Sequence, residues 1–303
     1  MIERQVYITG QMVPESKARI SIFDSAVMLG DTATESTRTF RHRPFKLANH
    51  VERLFKSLKI MRIDPGCNSN QLLAITQNVL EANLPCYAQD QDCWIVHNIS
   101  RGLSMAGSDP TVTASGPTVM IFTQPLDLRS WAGFYSNGCH AVTSMSRAVP
   151  AQSLDARIKN RSRLAYSLAE AEVKLIDPAA QGVILDIYGN VSENKGGNIF
   201  VVADGVLRTP TTANCLAGMS RATVLQLAHE LGITCEEAVL QPYDLATAEE
   251  MFFTSTPYCI MPATRFNGMD IADGQVGPIT RKLLSAWSDL VGVDIPKQAE
   301  AQL

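Results

Sequence analysis

Several features that would announce a function are missing from this sequence. Its seven cysteines (Cys67, Cys86, Cys93, Cys139, Cys215, Cys235 and Cys259) are odd in number and form no CxxC pair. That argues against a disulfide framework and fits reduced thiols in a cytoplasm. The five histidines, His42, His50, His97, His140 and His229, are scattered without metal-ligand spacing, so no structural metal is expected. No apolar run approaches the length needed to cross a bilayer. Met1-Ile2-Glu3-Arg4-Gln5 begins polar and leads directly into strand-like sequence, unlike a secretory signal. Basic charge is not in excess: 26 Lys+Arg stand against 30 Asp+Glu, a net charge of −4. Without a basic stripe, nucleic acid is not expected as a partner. No G-x-G-x-x-G follows a strand, which sets aside a dinucleotide-binding fold. Internal repeats and low-complexity segments are also absent.

What is present is enough apolar residue, 46% of 303, to bury a full core in two lobes. Val6-Tyr7-Ile8-Thr9 and Met12-Val13 around Gly10-Gln11 read as a hairpin. Residues 20–23 read as a short strand, and the Thr-rich run 32–40 follows Gly30-Asp31. Apolar positions at helical spacing predict helices over 47–60 and 70–83, and residues 93–100 and 118–123 read as core strands. The first lobe is therefore α+β, a sheet with helices packed on it, over residues 1–124. Pro125, Gly133, Gly138 and Pro150 punctuate the next stretch, and residues 125–137 are expected to link the lobes. The larger second lobe, 138–303, is predicted to carry strands at 140–145, 182–187, 198–202, 206–207 and 250–254. Its helices are predicted at 162–176, 220–231 and 279–290. Residues beyond Pro296 are expected to fray.

One stretch carries the most chemical information: Gly189-Asn190-Val191-Ser192-Glu193-Asn194-Lys195-Gly196-Gly197-Asn198-Ile199-Phe200. It sets a single carboxylate, Glu193, on a Gly-rich connection between two apolar strands, where an unpaired charge is costly to bury. Upstream, Lys159 follows a strand-like run and stands among Arg157, Arg161 and Arg163. Taken alone it reads as a surface lysine, yet neighbouring positive charge disfavours an ammonium and suits a Schiff-base amine. Downstream, Leu216-Ala217-Gly218-Met219-Ser220-Arg221 opens a helix whose first amides suit a phosphate. Thr254-Ser255-Thr256 offers a second hydroxyl-and-amide turn. Arg53, early in a helix, brings the planar fork of a phosphate clamp. Lysine, acid and helix start in that order suggest a pyridoxal phosphate site.

In combination these residues resemble the class IV fold of pyridoxal-phosphate enzymes, which holds branched-chain and D-amino acid aminotransferases, (R)-amine transaminases and aminodeoxychorismate lyase. The resemblance runs from Val6-Tyr7-Ile8-Thr9-Gly10-Gln11-Met12-Val13 through His50-Val51-Glu52-Arg53-Leu54, Lys159 and Glu193. It continues through the Leu216 to Arg221 segment to Thr254-Ser255-Thr256 and Gly277-Pro278-Ile279-Thr280. It implies a two-domain α/β and α+β fold of type IV, with a pseudo-barrel sheet in the larger lobe. Lys159 would form the Schiff base and move the proton between substrate carbon and cofactor, and Glu193 would bind the pyridine nitrogen. Arg53, Met219, Ser220 and Thr256 would hold the phosphate, with Leu216 against the ring. Arg38, Trp94, Arg101, Ser255 and Pro257 would face the substrate. A cytoplasmic homodimer is the implied assembly.

The resemblance implies an aminotransferase moving an amino group from an amino acid or amine to a 2-oxo acid through a pyridoxamine form, with a pyruvate-releasing lyase as the alternative. The substrate subgroup stays open, because the pocket departs from the family's patterns. Thr34-Glu35-Ser36-Thr37-Arg38 keeps the Glu and Arg of the branched-chain pattern without its aromatic and glycine. After Ser100-Arg101-Gly102, the residues Leu103 to Ser108 include neither the Arg nor the His of the D-amino acid enzymes. Leu164 stands five residues after Lys159, where a tyrosine usually meets the ring hydroxyl. Pro257 has no N–H to offer a substrate carboxylate.

Overall fold

A computed structural model describes residues 2–103 and 116–303 and divides the chain into two compact units. The first comprises Met1–Leu126 with Ile158–Ser162, and the second Asp127–Arg157 with Arg163–Leu303.

In the first unit, β1 (Gln5–Ile8) and β2 (Gln11–Pro14) form the expected hairpin. Thr9 and Gly10 turn it with φ of 39° and 91°, the left-handed backbone that suits the twist of a two-residue hairpin. The expected strand at 20–23 does not form. There the chain turns into a short helix, α1 (Ser25–Met28), whose first amides are capped by Asp24, with Oδ1 accepting from Ala26 N at 2.8 Å. Asp24 also takes the hydroxyls of Ser100 and Thr118, both at 2.6 Å, which fixes the chain where a strand would have needed a free edge.

The unit continues with β3 (Thr32–Phe40), β4 (Arg43–Pro44), α2 (Leu47–Met61), α3 (Ser69–Asn83), β5 (Cys93–Ser100) and β6 (Thr118–Pro125). Its antiparallel sheet runs in the order β2-β1-β6-β5-β3-β4. Strand alternation sends Ala33, Ile95, Ile99, Val119 and Ile121 to one face. There they meet Val51, Leu54 and Leu58 of α2 and Leu72, Val79 and Leu80 of α3 in a single apolar cluster. A capping box, Asn68 with Gln71, starts α3. The segment Ile158–Ser162 lies along β3: Thr34 N donates to Lys159 O and Arg161 N to Thr32 O, each at 3.0 Å.

The second unit begins with two single-turn helices, α4 (Arg129–Ala132) and α5 (Phe134–Asn137), in the stretch read from sequence as a linker. Then follow β7 (Cys139–Arg147), α6 (Leu164–Ile176), β8 (Gln181–Leu185), β9 (Val191–Glu193), β10 (Asn198–Ala203), β11 (Val206–Pro210), α7 (Met219–Glu230), β12 (Cys235–Ala238), α8 (Pro242–Ala246), β13 (Glu250–Ser255), β14 (Cys259–Phe266), β15 (Met269–Asp270), α9 (Pro278–Val291) and α10 (Ile295–Glu300). The mixed sheet runs β12-β11-β10-β13-β14-β7-β8-β9, with β15 paired to β14. It curls so that β9 comes back beside β10 and β11. Phe200 and Phe252 stack on neighbouring strands at its centre, 5.0 Å apart.

The tail does not fray. Asp294 caps α10 by accepting from Lys297 N, Ile295 and Ala299 are fully buried, and Gln302 accepts the Leu128 N–H at 2.7 Å. Burial of the apolar side of one short turn outweighs the usual mobility of a chain end.

Candidate active site

The expected residues of the first unit gather on helix α2 and the strand beside it. Spaced along α2, His50, Arg53 and Ser57 lie three and four residues apart and share one face. All three are buried. Arg53 forks onto Glu35 of β3, with Nε to Oε2 at 2.8 Å and Nη2 to Oε1 at 2.7 Å, while His50 Nδ1 meets the same Oε1 at 3.0 Å. Glu35 has no exposed surface. Burial alone would push its carboxyl up, but Arg53, then His50, outweigh this and hold it well below the usual carboxylate range. Burial pulls His50 below the ordinary imidazole value against the opposing pull of Glu35. The third residue, Ser57, accepts the backbone N–H of Lys159 at 3.1 Å. One helical stripe thus holds the candidate phosphate arginine and pins the backbone of the candidate amine.

The substrate-side expectations fall on the opposite sheet face and its rim. Arg38 and Trp94 are register partners across β3 and β5. Arg38 is buried, lies 3.9 Å over the Phe40 ring, donates to the Thr39 carbonyl and stands 4.0 Å from Asp92. Arg101 is half exposed; it pairs with Asp31 at 2.7 Å and donates to the carbonyls of Met61 and Arg62. The loop expected to follow it lies, from Ser104 to Ser115, outside the described residues.

In the second unit the carboxylate of Glu193, at the end of β9, is 5% exposed and engaged on both oxygens. Tyr166 of α6 donates its hydroxyl to Oε1 at 2.6 Å, and the Leu216 N–H reaches Oε2 at 2.9 Å. Burial, then Glu193, pushes the Tyr166 phenol well above its ordinary value, so it stays a donor. The Arg163 guanidinium covers the tyrosine ring at 3.5 Å and bonds the Lys195 carbonyl. Sequence reasoning missed Tyr166, because the search stopped at position 164, where Leu164 points out with 73% exposure. The signal was the spacing Tyr166, Ala169, Val173, which puts the tyrosine on the same face of α6 as its two buried residues.

Three residues beyond Leu216, helix α7 begins with no side-chain cap, because its N-cap is Gly218. The contrast with α9 is informative. There Glu250 of β13 accepts the amides of Ile279 and Thr280 at 2.8 and 2.7 Å, so that helix start already has its anion. The amides of Met219 and Ser220 have no such partner among the described residues. A Cβ at Gly218 would come within 2.1 Å of Asn198 Oδ1, whose amide donates to the Leu216 carbonyl, so the glycine is required by close packing as well. Between β13 and β14, the turn at residues 256–258 carries Thr256 and Pro257. Ser255 donates its hydroxyl to the Gly196 carbonyl at 2.5 Å, and the neighbouring buried Thr254 Oγ1 has no hydrogen-bond partner. No group of residues that could hold a metal occurs among the described ones.

Residues 32–266 match the family model for amino-transferase class IV. A provisionally named branched-chain-amino-acid aminotransferase of Methanocaldococcus jannaschii is 31% identical over 94% of this chain and 96% of its own. The branched-chain-amino-acid aminotransferase of Escherichia coli K12 is 28% identical over 94% of this chain and 92% of its own. A crystal structure of the Escherichia coli branched-chain amino acid aminotransferase superposes with a TM-score of 0.86 at 26% identity, covering 95% of each chain. The fold is thus that of type IV, as expected from the sequence, and these relatives lend no support to the lyase alternative.

Proposed function

Because the chain belongs to the class IV aminotransferases, we propose that it moves the amino group of a branched-chain L-amino acid to a 2-oxo acid, using pyridoxal 5'-phosphate. One observation carries the cofactor reading: Leu216 joins an acid to a helix start that no side chain caps. Its N–H holds Glu193, and three residues later α7 opens with amides that no side chain caps. An acid for a ring nitrogen and a cradle for a phosphate are the two ends that pyridoxal phosphate needs.

When bound, the group supplies an aldehyde for the amine and a ring that withdraws electrons from the substrate's Cα. The chain's residues do the rest. Lys159 holds the amine that takes the aldehyde and moves the proton at the substrate Cα, its backbone fixed by Ser57 and Thr34. Glu193 would hold the ring nitrogen and Leu216 the ring face, and Met219, Ser220, Thr256 and Arg53 are the residues that would hold the phosphate. Glu35 fixes the Arg53 fork, which leaves less side-chain freedom to lose on binding. Trp94 and Arg38, on the face of the first sheet away from α2, and Ser255 and Pro257 are the candidates for the substrate side. Of the two arginines Arg101 is the half-exposed one, and so the better placed to meet a carboxylate.

The branched-chain assignment rests on the relatives' names and on the Glu35 and Arg38 pattern. A second reading, a D-amino acid or an (R)-amine as donor, is favoured by Pro257, which has no N–H for a carboxylate. A donor screen decides. L-leucine, L-isoleucine and L-valine should bleach the bound cofactor's visible band and aminate 2-oxoglutarate faster than D-alanine or (R)-1-phenylethylamine. A D-amino acid or amine in first place overturns the subgroup, and bleaching at the parent rate by Lys159→Ala overturns the lysine's role.

We further infer a cytoplasmic homodimer. The seven cysteines are all free, no helix among the described residues is long and apolar enough to cross a membrane, and Ile22, Val27, Met28 and Leu29 form an exposed apolar run beside α1.

A further inference from the structure

We propose that Tyr166 is a positioning residue that holds the Glu193 carboxylate in its aim at the ring nitrogen. The inference rests on the reading above, in which Glu193 meets the ring nitrogen.

Glu193 is almost wholly buried, and the oxygens of a buried carboxylate need a fixed orientation and hydrogen-bond donors. It has two from the protein, the Tyr166 hydroxyl on Oε1 and the Leu216 amide on Oε2. Each oxygen keeps a further acceptor position for a ring N–H. The amide is fixed by the main chain, so the hydroxyl is the contact that side-chain chemistry can set. Its place is over-determined: α6 carries Tyr166 on its inner side, and the Arg163 guanidinium lies on its ring. That arginine is bonded in turn to the Lys195 carbonyl, and the Lys195 ammonium meets Glu170, one helical turn beyond Tyr166. The turn leaving β9 and the helix α6 are thereby tied on both sides of the Tyr166–Glu193 contact. A Glu193 turned away from this geometry would lose its aim at the ring nitrogen. Tyr166 therefore acts on the reaction through Glu193, without a bond to the substrate.

The test compares two probes on the full chain, stripped of cofactor and reconstituted: pyridoxal 5'-phosphate and its 1-deaza analogue, which lacks the ring nitrogen. Binding is read by quenching of tryptophan fluorescence, so no turnover is required. The parent should prefer the nitrogen-containing ring. In Tyr166→Phe the ratio of the two affinities should fall by about tenfold, the usual weight of a hydrogen bond to a charged group. In a Glu193→Gln background the same substitution should leave the ratio unchanged. A parent without preference overturns the Glu193 reading and this inference with it. A normal parent with an unchanged ratio in Tyr166→Phe overturns the inference alone, as does equal weakening toward both probes, which marks a merely structural role. Should Tyr166→Phe not fold, the ratio is read on Arg163→Met, which frees the tyrosine ring but keeps its hydroxyl; a ratio equal to the parent's overturns the proposal there.

Discussion

His97 shows how a single buried residue couples this fold to pH. It stands opposite Glu35 in the β3–β5 register, with no exposed surface. Thr76 gives its hydroxyl proton to the Leu72 carbonyl at 2.7 Å, so His97 Nε2 must be the donor in its 2.8 Å contact with Thr76. That fixes the tautomer and leaves Nδ1 buried without a partner. Burial pulls the imidazole down to about 4. The sign follows from linkage: below about 6.5 the unfolded chain takes up a proton that the folded chain refuses until about 4. Stability should therefore fall as pH drops through that window, by about 3 kcal/mol from His97, and level off below it. His50, lowered by the same cause, acts in the same direction. Glu35 enters only at the acid end of this window: its stabilisation starts to go once the unfolded carboxyl protonates near 4.5, and the loss continues to more acid pH. Calorimetric melting of the parent and His97→Gln between pH 7 and 4 checks this. The variant's curve should be the flatter, and two parallel curves refute the assignment.

At the scale of elements, the two long helices α7 and α9 of the second unit were both legible as helices, but their starts do opposite things. Gly277 is packed so tightly against Glu250 that a Cβ would lie 2.0 Å from its carboxyl carbon, and that carboxylate fills the helix start. Gly218 is packed as tightly against Asn198, an amide that brings no charge, and leaves its helix start uncapped. Gly218→Ala should therefore push Asn198 aside, cost roughly 1–3 kcal/mol of stability from overpacking, and weaken pyridoxal phosphate binding by about tenfold through the displaced amides. Equilibrium unfolding and fluorescence titration read the two effects separately. Full cofactor affinity in a destabilised variant would place the phosphate elsewhere. Sequence pattern alone read both as Gly-led helix starts, because whether a carboxylate arrives from another strand is a tertiary matter.

For the whole molecule, the strand read over residues 20–23 belongs to a longer apolar run that reaches Leu29. Its apolar residues are β-formers, but they neither pair with a strand nor enter the core, and Leu29 is 70% exposed. Such a run is costly to leave in water and marks an association surface. If it is where two copies meet, Val27→Asp with Leu29→Asp should shift sedimentation of the parent dimer to monomer without loss of helix signal. A parent that sediments as a monomer at micromolar concentration contradicts the homodimer itself.

The order of motifs from Val6 to Thr280 was sufficient for family, fold type and cofactor class, because each depends on local chemistry: an amine, an acid and a glycine-led helix start. Periodicity likewise gave the main helices and core strands, since it records which side of an element is apolar. It could not give β14 or α10, whose burial comes from partners far along the chain. Nor could it show that Arg53 is locked by Glu35, that Ser57 carries the backbone of Lys159, or that Tyr166 reaches Glu193. Those contacts join residues 18, 102 and 27 positions apart. Residue types alone left Glu193 one carboxylate in a Gly-rich loop; the packing of α6 and the Leu216 turn around it gave each of its oxygens a donor.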